Sequence, residues 1–64
     1  MTACLPTAIF TPAEIAIYAD ANTAALVTAA MSSRRIAAHA RNVSARKFAM
    51  RRAIALETLA KSRS

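Results

Sequence analysis

The sequence contains no glycine and no tryptophan, and its two prolines, Pro6 and Pro12, both fall within the first twelve residues. Without glycine no residue takes positive φ freely, which disfavours tight hairpin turns and with them a turn-rich β fold. A single cysteine, Cys4, excludes an internal disulfide and reads as a small apolar contact. The single histidine, His39, has no Cys, acid or second His at ligand spacing, so no structural metal is expected. Acids are scarce as well: Glu14, Asp20 and Glu57 are the only three. Three carboxylates, one histidine and one cysteine scattered along a short chain do not make a nucleophile, a base and an orienting group, and no Gly-rich loop is present to cradle a phosphate. We therefore expect a protein that is not an enzyme and carries no cofactor.

What the chain does have is alanine, eighteen of 64 residues, and nine basic residues, all between Arg34 and Arg63. Alanine is the best helix former, so the composition predicts an all-α fold. The charge divides the chain in two, with −2 over residues 1–33 and +8 over residues 34–64. An apolar half that presents a basic half is the pattern of a binding or assembly protein with an anionic partner. At this length the chain forms one domain with a thin core, completed by self-association or by docking into a larger assembly.

The clearest local signal is Phe10-Thr11-Pro12-Ala13-Glu14-Ile15. It places threonine at an N-cap, proline at the first helical position and glutamate three residues after the cap, with Phe10 and Ile15 as a hydrophobic staple. Residues 1–11 then form an extended lead-in, too apolar at Leu5, Ile9 and Phe10 to lie free in water. From residue 12 to about residue 31, Ile15, Tyr18, Asn22, Ala25, Leu26 and Ala29 recur at helical spacing and are expected to face a core. Ile17, Ala24, Val27 and Met31 form a weaker second strip.

Ser32-Ser33 before Arg34-Arg35 is read as the break, with a serine capping a second helix over residues 34–61; a continuous helix of nearly fifty residues is the rival geometry. Antiparallel pairing about that break would bring Ala29 near Ile36, Asn22 near Val43 and Ile15 near Met50. Leu56 and Leu59, beyond the first helix, would meet Leu5, Ile9 and Phe10. Within the second helix Ile36, Val43, Met50 and Ile54 fall on one line and are expected to pack, while Arg34, Arg41 and Arg52 lie almost opposite.

Together with Arg35, Arg46, Lys47 and Arg51, those three arginines make a broad cationic arc for phosphates or an acidic partner. Tyr18, Phe10 and Phe48, the only aromatics, are not interleaved with the arginines as base stacking would require, so contact with the backbone is expected rather than sequence reading. The primary expectation is thus a small helical protein that binds nucleic-acid phosphates as a subunit of a nucleoprotein or virion. The alternative is an interaction protein that docks on an acidic protein surface without nucleic acid. A membrane-associated peptide is the third reading, with residues 13–31 apolar and Arg34-Arg35 as a positive flank. Asp20 and the weak insertion energy of alanine oppose it. No basic stretch precedes an apolar core, so secretion is not expected, and the chain is placed in the cytoplasm or within a particle.

Overall fold

The computed structural model describes residues 5–63, which form three helices: α1 (Pro12–Asp20), α2 (Thr23–His39) and α3 (Val43–Arg63). Cys4 lies outside the described residues. The start of α1 is the capping box read from the sequence. The Glu14 backbone N–H donates to Thr11 Oγ1 at 3.2 Å, and the Thr11 N–H donates to Glu14 Oε1 at 3.0 Å.

The breaks lie elsewhere than expected, and there are two of them. Asn22 and Asn42, the only asparagines of the chain, each accept the backbone N–H of the residue three positions on, Ala25 at 2.8 Å and Ala45 at 2.6 Å. Each thereby satisfies a donor left open at a helix start. Ala21 and Ala40, just before, take extended backbone with ψ of 145° and 134°. The two-helix hairpin with a turn at residues 32–33 is corrected accordingly. Ser32 and Ser33 sit inside α2, where serine costs only a fraction of a kcal/mol relative to alanine. Ser33 is buried there, and that location removes it from any capping role.

The antiparallel pair is α2 against α3. Buried positions on α2 are Leu26, Ala30, Ser33 and Ala37, and on α3 Ala49, Ala53, Leu56, Leu59 and Ala60. The steps of four, three and four mirror each other, which aligns Leu26 with the level of Ala60, Ala30 with Leu56, Ser33 with Ala53, and Ala37 with Ala49. Six of these eight residues are alanine or serine, so the two backbones approach closely along a small-residue seam.

The expected stripe is therefore displaced. Ile36, Val43 and Ile54 are 64%, 64% and 54% exposed, and Met50 is half-buried. A branched side chain at the seam would force the helices apart, and the seven-residue spacing of Ile36, Val43 and Met50 runs beside it. The expected pairings of Ala29 with Ile36, Asn22 with Val43 and Ile15 with Met50 disappear with the turn that implied them.

Leucines and aromatics gather at the open end of the hairpin. Leu26 and Leu56 are fully buried in a cluster with Leu5, Phe10, Ala30, Leu59 and Ala60, against which Ile9, Ile15 and Tyr18 pack. The expected meeting of Leu56 and Leu59 with the lead-in is thus realised. A turn over residues 6–10, in which the N–H groups of Ile9 and Phe10 donate to the Pro6 carbonyl at 3.3 and 3.2 Å, drives Leu5 and Phe10 inward. Phe10 meets Tyr18 edge to face, with ring centroids 6.1 Å apart. The lead-in and α1 plug the end where the hairpin's largest apolar side chains collect.

The seam makes a discriminating prediction. Ala53→Leu should destabilise the fold by about 1–3 kcal/mol through overpacking, whereas Ile54→Ala, one residue away on the expected stripe, should stay within about 0.5 kcal/mol. Urea denaturation followed by circular dichroism would compare them; equal effects would contradict the seam.

Candidate anion-binding surface

The cations divide by what they already hold. Arg52 reaches from α3 to the lead-in and α1. Its Nη1 donates to the Ile9 carbonyl at 2.8 Å and to Glu14 Oε1 at 3.3 Å, and its Nη2 donates to Glu14 Oε2 at 2.6 Å. The guanidinium also lies 4.5 Å from the Phe10 ring centroid and 5.9 Å from that of Phe48. A planar fork on a carboxylate and a ring face is a geometry lysine cannot reproduce. The hydrogen bond from Arg52, seconded by the Thr11 N–H, lowers the Glu14 carboxyl from 4.5 to about 2, while Glu14 raises Arg52 in turn. Arg52 thus joins the three segments of the fold and is withdrawn from the expected arc.

Arg34 is also committed. Its Nε and Nη2 donate to the two Glu57 oxygens at 2.6 and 2.9 Å, across α2 and α3. Both side chains remain well exposed, so this pair adds at most about 1 kcal/mol. Arg63 donates to the Ala19 carbonyl at 2.5 Å and to that of Ala21, setting a cation at the end of α1 where carbonyls lack helical partners. Arg46 donates to the Ala40 carbonyl at 3.3 Å and clips the loop between α2 and α3.

Arg35, Arg41, Arg46, Lys47 and Arg51 lie on the closed end of the hairpin: the later turns of α2, the loop over residues 40–42 and the first turns of α3. From Arg35 to Arg51 there is no acid. Glu14, Asp20 and Glu57 all lie toward the other end, in α1 and the later part of α3. Lys47 and Arg51 stand four apart on one face of α3, about 6 Å along its axis. Arg35 stands four before His39 on α2. Arg46 lines a cleft with Arg34, Ala38 and Met50. The closed end is therefore a basic tip with charge on several sides rather than a single arc. Of the seven expected cations, five form the tip, and Arg34 and Arg52 belong to the fold.

Beside the tip lies a feature not expected from the sequence. Ser32, Arg35, Ile36, His39, Ala40 and Ala45 line one depression, and Ser33, Ile36, Ser44, Ala45, Phe48, Ala49 and Arg52 line another. Shared Ile36 and Ala45 join them into one groove between α2 and α3. Phe48 is 47% exposed there. Its sequence signal was its place between Ala45 and Arg52 on one side of α3. Reading that signal required knowing that α1 runs from Arg52 toward Arg63 and leaves Phe48 uncovered.

Among the described residues no group of His, Cys, Asp and Glu could hold a metal ion, and no helix is long and apolar enough to cross a membrane. The apolar span expected over residues 13–31 is divided by Asn22. In comparisons with known proteins the chain matches no family model, no curated protein and no solved structure.

The Glu14–Arg52 contact predicts the pH response. Because the carboxyl is depressed in the folded state, its contribution is fully present above its ordinary value near 4.5 and is lost as pH falls toward about 2. Glu14→Gln should lower the melting temperature at pH 7. Its difference from the native chain should narrow below pH 4.5 and close near pH 2, as read by thermal circular dichroism across a pH series.

Proposed function

We propose that this protein binds nucleic-acid phosphates through the basic tip, largely without reading base sequence, as an accessory or structural subunit of a larger nucleoprotein or virion assembly. The observation that carries this reading is the acid-free run from Arg35 to Arg51 gathered at the closed end of the hairpin. Five cations on a convex end, four of them arginine, suit phosphate oxygens through planar forks and the release of condensed counterions. Phe10 is buried and Tyr18 half-buried, so Phe48 is the one aromatic ring well exposed among the described residues. A base-stacking platform needs more than one such ring.

A second reading, docking on an acidic protein surface without nucleic acid, is favoured by a different observation. Ile36 and Phe48 leave apolar surface beside the same cations, as a protein interface would require and a phosphate backbone would not.

The two separate by salt response. Five neutralised phosphates predict a log–log slope of affinity against salt of about −4.5 on duplex DNA and about −3.5 on single strands. Fluorescence anisotropy with labelled duplex and single-stranded oligonucleotides between 50 and 200 mM salt would measure it. The Lys47→Glu/Arg51→Glu double variant should weaken binding at least about tenfold, whereas Arg63→Gln should change it little, because Arg63 holds the end of α1. Absence of binding at low salt, or full affinity in the double variant, would overturn the phosphate reading.

A further inference from the structure

The groove at Ile36, Ala45 and Phe48 continues a trough that the chain itself already fills further along. The depression that holds Phe48 and Arg52 also borders Ile9, Phe10 and Glu14, and it runs into the groove through those same two residues. In its filled part, apolar side chains of the lead-in and α1 cover the hairpin while a carboxylate, Glu14, is clamped by an arginine at the edge. In its open part the floor is again apolar and an arginine, Arg35, again stands at the edge, but no carboxylate is present. The direction of α1 is the reason: it runs from Glu14 beside Arg52 to Ala19 and Ala21 beside Arg63, toward the open end and away from the tip.

We infer that the open part of this trough is a docking site for an acidic amphipathic helix of a partner protein, which would bury an apolar stripe on Ile36, Ala45 and Phe48 and set a carboxylate against Arg35. The occupant follows from charge complementarity. The neighbouring tip carries Arg41 and Arg46 as well, no acid falls between Arg35 and Arg51 in the chain, and Glu14 and Glu57 are held by Arg52 and Arg34. A second copy is disfavoured because Glu14 and Glu57 are already paired and each copy has a net charge of +6. Two grooves facing each other would bring basic tips together. A nucleobase would find one ring and an otherwise aliphatic floor. From Ala45 to Arg52 the groove follows α3 for about 10 Å, the length of about two helical turns, which suits the short helix-in-groove mode of recognition.

The site shares Arg35, Arg41 and Arg46 with the basic tip but not Lys47 and Arg51, so a variant at those two residues separates this inference from the phosphate reading. The probe is a synthetic helical peptide of about 14 residues, roughly four turns, with leucine along one stripe and glutamate on both flanks. Titrated into the full isotope-labelled chain, it should bind saturably and shift the NMR signals of Ile36, Ala45 and Phe48. Ile36→Glu, at an exposed position that leaves the thermal melt unchanged, should weaken it at least about tenfold. A peptide with lysine in place of glutamate should not bind, and Lys47→Glu/Arg51→Glu should retain binding of the original peptide. Equal binding of the lysine peptide, or shifts centred elsewhere, would overturn the inference. So would a dimer in sedimentation equilibrium that Ile36→Glu dissociates.

Discussion

Close approach of α2 and α3 constrains nearly everything else in this molecule. Two helices whose facing positions are mostly alanine and serine gain contact from backbone proximity rather than from large interdigitating side chains. Such a seam is narrow and contributes modest apolar burial per residue. The larger apolar side chains must then go elsewhere. Some gather at the open end, where Leu26, Leu56 and Leu59 form a pocket that the hairpin cannot close and that Leu5 and Phe10 enter. The others, including Ile17, Met31, Ile36, Val43, Phe48 and Ile54, stay on the surface. An exposed apolar residue here is a direct consequence of a seam built from small ones.

That division explains which parts of the fold were legible in the sequence. Thr11-Pro12 with Glu14 specifies a helix start by local chemistry alone, and the same cap is present in the structure. The lead-in was legible because apolar residues ahead of a cap have few places to go except inward. The helix breaks were obscured by weighing Ser-Ser before Arg-Arg above asparagine. Serine caps a helix only where the backbone leaves the helical region, and the seam keeps Ser33 within it. Asn22 and Asn42 carried the true signal, each followed three residues later by a backbone N–H free to be capped. The buried stripe was obscured because hydrophobic periodicity weights isoleucine and valine above alanine, whereas a close-packed seam selects for small volume.

The electrostatics follow from the same geometry. Arg52 lies on α3 beside the seam, near enough to the lead-in and α1 for one guanidinium to satisfy the Ile9 carbonyl, the Glu14 carboxylate and the face of Phe10. Sequence position made it one more member of a basic series, and only the short α1 shows that its charge is used within the fold. Arg34 is similar, since Glu57 comes within reach only through the register of α2 on α3. The remaining members of the series could be assigned to the surface from sequence because no acid lies between Arg35 and Arg51 to pair with them. Their distribution around a tip rather than along one arc could not, because it depends on a loop at residues 40–42 that divides them between two helices.

The two ends of the hairpin therefore differ in kind. At the open end apolar surface is covered by residues 5–18 of the chain, and Arg34, Arg52 and Arg63 are matched by Glu57, Glu14 and the carbonyls of Ala19 and Ala21. At the closed end the same kind of trough continues without a covering segment, and the cations continue without acids. An isolated basic patch is commonly a solvated face, and an isolated exposed isoleucine needs no explanation. Here both occur at the same end, and both arise because α1 runs from the level of Arg52 toward Arg63, away from that end. That course of α1 leaves apolar and cationic surface adjacent at the closed end, a combination that neither water nor a second copy of so basic a chain satisfies as well as an anionic partner does.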